Sequence, residues 1–275
     1  MLVKVSGADP AVDIATARKA LERAAGRFSD LLGAAPDPEA PLPRSEWGVA
    51  EAAAHVVLIT EAYAGFARGR TEPFVDVSDV PGGSLARTSA ARLAAEPQRE
   101  LAALRTRLRE SERSLRQATE GRGPTDLVSW NGQEIGIGEM LGIAVGEYLL
   151  HGLDVAGALS QPWTIDPDDA RLVLAAVLPL LPLLVDRRAT ADVTASYDIR
   201  IRGGRHVSLR ISRGEATVGS NGGSVDCHVS ADPVAMLLVA YGRRSQWGPA
   251  LTGKLVAWGR KPWLGLRLTR YLVAP

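Results

Sequence analysis

Three side chains, drawn from two distant stretches of this 275-residue chain, are of types that bind divalent metal ions. Glu147 and His151 lie four residues apart in a segment with helical periodicity, so their side chains share one face of the predicted helix. His55 lies in the apolar row of another predicted helix. Catalytic zinc has this kind of arrangement: protein ligands such as two imidazoles and one carboxylate surround the ion, and a fourth position stays vacant. Buried hydrogen bonds between Glu147 and the histidines are the alternative, and spacing alone leaves both open.

Four helices predicted in the first 160 residues must position these side chains. The first begins at Asp9-Pro10, since Asp is a favoured N-cap and Pro a favoured first helical residue. The second begins near Ser45, the third covers residues 87–120, and the fourth runs from Ile137 to Leu159, with connections over residues 71–84 and 121–133. Apolar stripes along these segments indicate helices that pack on one another as a bundle.

The pattern changes after residue 160. A helix is predicted over residues 168–185, followed by alternating strands over 193–201, 207–211 and 224–229, with a tight hairpin at Gly203-Gly204. A helix after Asp232-Pro233, a strand over 253–258 and a last helix over 261–272 complete the chain. The predicted fold is therefore an N-terminal four-helix bundle, residues 1–162, followed by a smaller α+β domain, residues 163–275.

Composition restricts the classes of partner. The 32 basic and 31 acidic residues nearly balance, which gives no support to nucleic-acid binding. The longest apolar run, residues 172–185, is shorter than the roughly 20 residues that span a bilayer, so no membrane partner is expected. The single cysteine, Cys227, excludes an internal disulfide and a multi-cysteine metal site. We therefore expect a cytoplasmic monomer or homodimer that acts on a small molecule.

Two segments carry a family resemblance. The stretch from Trp47 to His55 is similar to the segment of the DinB-like superfamily in which a tryptophan precedes a histidine by several residues. The stretch from Glu147 through His151 to Asp154 resembles the Glu-x-x-x-His-x-x-Asp segment of the mycothiol-dependent maleylpyruvate isomerase branch. The resemblance covers the whole chain in outline and is specific at these two segments. It implies a helical bundle followed by a domain related to sterol-carrier proteins.

The resemblance also implies a chemistry. His55, Glu147 and His151 are then the metal ligands, zinc is the usual ion, and Asp154 has a supporting role. A low-molecular-weight thiol such as mycothiol is the cosubstrate, and the cation lowers its pKa so that a thiolate is present at neutral pH. Addition of the thiolate to an activated double bond, rotation and elimination give cis–trans isomerisation, and other branches resemble S-transferases.

In the isomerases an arginine of the C-terminal domain assists a carboxylated substrate, and the resemblance implies an active site in the cleft between the domains. Arg243 and Arg260 are the candidates for this catalytic role, with Arg244 as a further choice. The sequence does not decide among them.

A non-catalytic protein that binds a small molecule or lipid in its C-terminal domain is the alternative function. Its ligand would lie among Leu237, Leu238, Trp258 and Leu266. Core packing is the preferred prediction for Trp247, Trp258 and Trp263 over the lining of an apolar tunnel. A regulatory protein that kept the bundle and lost catalysis is a third, weaker possibility. The run from Gly248 to Lys254 has the spacing of a phosphate-binding loop, but Leu255 replaces the magnesium-binding hydroxyl and no strand precedes it.

Overall fold

The computed structural model describes residues 12–70, 92–123, 125–130, 133–219 and 224–273. Asp9-Pro10, where the first helix was predicted to start, and the connection predicted over residues 71–84 lie outside these residues. Within them the first helix begins only at Ile14, where the Asp13 side chain caps it by accepting from the Thr16 N–H. The chain divides into two compact units, and the change from one to the other falls between Ile165 and Asp166.

Four long helices form the first unit: α1 (Ile14–Gly33), α2 (Val49–Ala67), α3 (Leu101–Ala118) and α4 (Ile137–Ala158). Helix α1 packs on α4 and α2 packs on α3, while α1 also contacts α3 and α2 also contacts α4. Large fully buried side chains such as Leu21, Phe28, Leu104, Met140 and Tyr148 fill the space between them. The predicted bundle is thus confirmed, and its apolar stripes form the core.

The structure corrects two of the predicted helix starts. Ser45 does not cap α2, which begins after Gly48, whose N–H donates to the Glu51 carboxylate at 2.9 Å. The third helix is not continuous from residue 87. Residues 92–95 are helical, the chain is irregular from Glu96 to Glu100, and α3 begins at Leu101. Pro97 explains the break, because proline lacks the N–H that a helix interior needs and its ring clashes with the preceding turn.

The loop predicted over residues 121–133 is also wrong in part. Strands β1 (Leu127–Trp130) and β2 (Gln133–Gly136) pair antiparallel and lead directly into α4. Among the described helices, α2 is long and apolar enough to cross a bilayer, and most of it is buried, which is the pattern of a core helix.

The second unit begins with α5 (Pro167–Val177), a 3₁₀ turn (Leu178–Leu180) and α6 (Leu181–Leu184), so Pro179 and Pro182 interrupt the predicted helix. A five-stranded sheet follows, in the order β5-β4-β3-β6-β7. Its strands are β3 (Thr194–Ile201), β4 (His206–Ser212), β5 (Glu215–Gly219), β6 (Cys227–Ala231) and β7 (Leu255–Trp258). The Gly203-Gly204 hairpin is confirmed, with Gly203 at a φ of 69°. Strand β5 was not predicted.

Three further helices belong to this unit: α7 (Pro233–Ala240), α8 (Trp247–Leu251) and α9 (Trp263–Arg267). Asp232 caps α7 as predicted, accepting a hydrogen bond from the Ala235 N–H. The last predicted helix is shorter than expected and ends in a 3₁₀ turn (Leu268–Arg270).

The two faces of the sheet differ. On β3 and β6 one face is apolar and buried, with Ala195, Tyr197, Ile199, Cys227 and Val229, as the alternation predicted. The opposite face is polar and carries Asp198 and His228. Helix α9 packs on β6 and β7, where a Cβ on Gly265 would lie 2.4 Å from the Ala257 side chain.

Candidate metal centre

Helices α2 and α4 position the three predicted metal ligands. His55 lies on α2, and Glu147 and His151 lie one turn apart on α4. A buried hydrogen bond joins the same two helices close by, since the Tyr148 hydroxyl lies 3.0 Å from the Thr60 hydroxyl. The Thr60 hydroxyl in turn donates to the Val56 carbonyl of its own helix. This pairing fixes how α2 and α4 lie against each other, and therefore how His55 faces α4.

The three side chains converge. The Nε2 atom of His55 lies 3.6 Å from Glu147 Oε2, and the Nε2 atom of His151 lies 3.5 Å from the same oxygen. One ligand atom from each residue lies within 4.8 Å of the other two. The side chains of His55 and His151 are 9% and 12% exposed, whereas that of Glu147 is 21% exposed, so the cluster is buried with one side open to solvent.

These distances bear on the two alternatives that the sequence leaves open. Nitrogen-to-oxygen hydrogen bonds are about 2.7–3.2 Å long, so both contacts to Glu147 are too long to be direct hydrogen bonds. Ligand atoms at about 2.0–2.1 Å from a tetrahedral zinc ion lie about 3.4 Å from one another. The observed 3.5 and 3.6 Å are close to two edges of such a tetrahedron, and all three ligand atoms lie within 4.8 Å of one another. The donor set therefore fits a divalent cation with nitrogen and oxygen ligands.

Asp154 lies behind the cluster. Its Oδ2 atom is 3.5 Å from Nδ1 of His151, the nitrogen that faces away from Glu147. That Nδ1 atom is buried and makes no hydrogen bond to the described part of the chain. A carboxylate beside the outer nitrogen of a ligating histidine is the usual way in which proteins set the orientation and tautomer of that histidine.

The electrostatics keep the carboxylate ionised. Burial alone would raise the pKa of Glu147, but the His151 and His55 imidazoles outweigh it and hold this pKa well below its usual range. Burial alone would lower the pKa of His151, but the Asp154 and Glu147 carboxylates outweigh it and raise this pKa. The site thus concentrates negative charge around two imidazole nitrogens, which favours a bound cation.

Trp47 covers one side of the cluster. Its ring centroid lies 4.9 Å from that of His55 and 6.0 Å from that of His151. The loop before α2 holds Trp47 in place, because its carbonyl accepts a hydrogen bond from the Leu42 N–H and Pro41 forms a β-bridge with Gly48. The sequence identified Trp47 only as part of a family motif. Its contact with both imidazoles depends on tertiary packing and was not predicted.

Comparison with known proteins identifies a family for the N-terminal unit. Residues 20–156, which include all three candidate ligands and Asp154, match the family model described as the mycothiol maleylpyruvate isomerase N-terminal domain. The N-terminal unit of this chain belongs to that domain family. The family predicted from the two short motifs is therefore confirmed.

Solved structures extend the likeness to both units. A histidine-to-alanine variant of the mycothiol-dependent maleylpyruvate isomerase has a TM-score of 0.55 at 14% identity, covering 90% of this chain and 93% of that one. A second crystal structure of the mycothiol-dependent maleylpyruvate isomerase has a TM-score of 0.51 at the same identity and coverage. At this identity the likeness shows the fold alone. A search of curated protein sequences found no match.

The candidate arginines of the isomerase-like fold lie in the second unit. Arg260 follows β7, and its guanidinium pairs with the buried Asp226 carboxylate. Arg243 follows α7, and its guanidinium donates to the Tyr241 carbonyl at 2.9 Å. Arg244 is exposed next to it. Both Arg260 and Arg243 therefore have partners within their own unit, and the structure does not rank one above the other.

The residues predicted to line an apolar ligand site do not share one surface. Leu237 and Leu238 are buried, whereas Trp258 is half exposed and stacks on His228 at a centroid distance of 5.3 Å. Trp258 alternates with Ala257 along β7, and Ala257 faces α9, which carries Leu266. Trp258 thus points away from the helix that carries Leu266.

Proposed function

We propose that this chain is a divalent-metal-dependent enzyme that uses a low-molecular-weight thiol, with zinc as the metal and mycothiol as the thiol. Its reaction would be a cis–trans isomerisation of the maleylpyruvate type or a related S-transfer to a small electrophile. The observation that carries the proposal is the convergence of His55, Glu147 and His151, whose ligand atoms lie within 4.8 Å of one another.

Each residue of the site has a role in this proposal. His55, Glu147 and His151 would hold the cation through Nε2, Oε2 and Nε2, which leaves a fourth position for the thiol. The cation would lower the pKa of a coordinated thiol, so that the nucleophilic thiolate predominates at neutral pH. Asp154 orients His151, and Trp47 shields the two imidazoles from water.

The open side of the site suits a cosubstrate that enters and leaves. The Glu147 side chain is 21% exposed, the most of the three. The chain's single cysteine is buried, and burial raises the pKa of the Cys227 thiol, so it is a poor nucleophile. An external thiol is therefore needed. We propose Arg243 as the residue that binds a substrate carboxylate, and Arg260 as its alternative.

Metal analysis of the full-length protein tests the proposal. Wild-type protein loaded with zinc and then dialysed should retain one ion per chain. His55→Ala and Glu147→Gln should each weaken binding by more than the roughly 10- to 100-fold that loss of a supporting residue costs. His206→Ala, which removes a histidine from the second unit, is the matched control and should retain the ion.

A thiol assay then tests catalysis. The metal-loaded wild type should isomerise maleylpyruvate or consume an electrophile only when mycothiol is present, and Arg243→Gln should raise the KM for carboxylated acceptors. Absence of stoichiometric metal under metal-replete conditions would end the proposal. Metal binding without any thiol-dependent turnover would favour the non-catalytic alternative.

A further inference from the structure

The C-terminal part of the chain has an unusual charge distribution. Residues 233–275 contain no Asp or Glu, although the chain as a whole is nearly neutral and the preceding residues are therefore net negative. The basic residues of this segment are Arg243, Arg244, Lys254, Arg260, Lys261, Arg267 and Arg270. Asp226 pairs with Arg260 and Lys261. Arg244, Lys254, Arg267 and Arg270 are exposed.

The same segment exposes large apolar side chains. The core packing predicted for Trp247, Trp258 and Trp263 is wrong, because they are 58%, 40% and 52% exposed. Leu251 is 88% exposed and Leu266 is 38% exposed. Side chains of this size are usually withdrawn from water, and a group of them at the surface marks an interaction site.

Four of these side chains lie on two short helices that a hydrogen bond joins. Trp247 and Leu251 are four residues apart on α8, and Trp263 and Leu266 are three apart on α9, so each pair shares a helix face. The Gln246 side chain, next to Trp247, donates to the Leu266 carbonyl at 3.2 Å and joins the two helices. We call Trp247, Leu251, Trp263 and Leu266 the tryptophan face. Arg244 precedes α8 and Lys254 follows it, whereas Arg267 is the last residue of α9 and Arg270 ends the 3₁₀ turn after it.

We propose that the tryptophan face docks on a membrane surface that contains anionic lipids. Tryptophan rings and leucines enter the boundary between headgroups and acyl chains, while lysine and arginine beside them attract the lipid phosphates and carboxylates. The absence of acidic residues from this segment removes the repulsion that such a surface would otherwise meet. The face lies on the membrane and does not cross it. Our sequence expectation of no membrane partner rested on apolar run length, which bears only on spanning.

Charge and shape argue against a second copy of this chain, or an acidic protein, as the partner of the tryptophan face. A two-fold contact between two copies would place the same basic residues opposite each other without acidic partners within this segment. An acidic protein would satisfy the charges, but it would also need apolar pockets for two tryptophans and a leucine that protrudes almost fully. A lipid surface accommodates all of these groups without a shaped partner.

Vesicle co-sedimentation of the full-length protein tests the proposal. Binding to phosphatidylcholine vesicles with 30% phosphatidylserine should exceed binding to pure phosphatidylcholine and should fall as salt rises, because screening weakens the attraction. Each basic residue near an anionic surface strengthens binding about fivefold, so Arg267→Glu with Arg270→Glu should weaken it at least about 25-fold. Leu251→Ser should also weaken it. Brominated lipids should quench part of the tryptophan fluorescence of the wild type, and less in Trp247→Phe with Trp263→Phe.

Matched controls lie in the first unit. Leu127→Ser replaces a leucine that is 46% exposed, and Arg113→Glu reverses an exposed charge on α3; neither should change vesicle binding. Thiol-dependent activity should be unchanged in Arg267→Glu with Arg270→Glu, so failure of this proposal and failure of the enzymatic proposal give different results. Equal binding to neutral and anionic vesicles, no binding at low salt, or binding to polyglutamate but not to vesicles would each overturn it.

Discussion

At the scale of single residues, the site depends on how His151 is oriented. Its Nε2 atom faces Glu147, and its Nδ1 atom faces Asp154, each at 3.5 Å. A histidine ring that is held at only one nitrogen can rotate about the Cβ–Cγ bond, which would move Nε2 away from the other donors. Asp154, which is buried at the start of the next turn of α4, removes this freedom.

Asp154→Asn should therefore weaken metal binding while the fold is retained. Asparagine has nearly the same shape but no charge, so the Nδ1 proton of His151 loses its ionic partner. We expect zinc affinity to fall about 10- to 100-fold, measured by competition with a chelator of known affinity. Asp30→Asn, at a side chain that is 81% exposed on α1, is the control and should have no effect. Unchanged affinity in Asp154→Asn would remove Asp154 from the site.

At the scale of elements, the packing of α4 is what brings the ligands together. On one side Tyr148 bonds to Thr60 of α2 and packs edge-on against Phe28 of α1. On another side the Trp163 ring lies against Gly152, and its indole N–H donates to the Leu149 carbonyl at 3.0 Å. A Cβ on Gly152 would lie within 2.1 Å of that rigid ring. The position next to His151 therefore requires glycine.

Gly152→Ala should destabilise the protein by about 2 kcal/mol, because the ring or the helix must move to admit the methyl group. The same displacement should weaken zinc binding, since it moves the neighbouring His151. Gly26→Ala on α1 is the matched control, because a Cβ there would meet nothing within 4 Å. It should stabilise the protein by about 0.5–1 kcal/mol through helix propensity. Urea unfolding measures the free energy of unfolding of both variants, and equal changes in the two would contradict the packing argument.

Patterns within single elements were enough to predict most of this architecture. Periodicity gave α4 within a residue or so, and the cap at Asp232 and the turn at Gly203 were correct because both signals are local. The hairpin of β1 and β2 was missed, since each strand has only four residues and pairs with nothing else in the described chain. Strand β5 was missed because it is a short, half-exposed sheet edge whose apolar positions are only Ala216 and Val218.

The site was predictable to a lesser degree. Glu147 and His151 share a helix, so their spacing alone placed them on one face, whereas their approach to His55 depends on tertiary packing and came from the family resemblance. The role of Arg260 was not predictable, because its partner Asp226 lies in a turn before β6 and the pairing depends on the sheet. The polar network in which Asp198 accepts from His206, His228 and Arg200 was missed for the same reason.

At the scale of the whole molecule, each unit contains a carboxylate that is mostly buried, and the surroundings of the two carboxylates differ. In the first unit Glu147 lies 3.5 and 3.6 Å from the two histidine nitrogens, which is longer than an ordinary hydrogen bond. In the second unit Asp226 is satisfied within the protein, since it accepts from the backbone N–H and the hydroxyl of Ser196 and pairs with Arg260 and Lys261. We therefore assign Asp226 to stability.

This assignment predicts how stability depends on pH. Arg260, Lys261 and Ser196 stabilise the ionised carboxylate, against the opposing effect of burial, and hold the pKa of Asp226 well below its usual range. Because the folded pKa is the lower one, the carboxylate contributes stability above its unfolded pKa of about 3.9, and this contribution is lost as pH falls toward the folded pKa. Asp226→Asn should lower the free energy of unfolding by about 2 kcal/mol at pH 6.

The difference between Asp226→Asn and wild type should shrink steadily from pH 4 to pH 2 in chemical unfolding, since the wild type then loses the same charge. Asp192→Asn, at an exposed position before β3, should follow the wild type throughout. Zinc binding by Asp226→Asn should remain at the wild-type value, because all three ligands lie in the other unit. A stability difference that is constant with pH would mean that the shape of the side chain matters at this position and its charge does not.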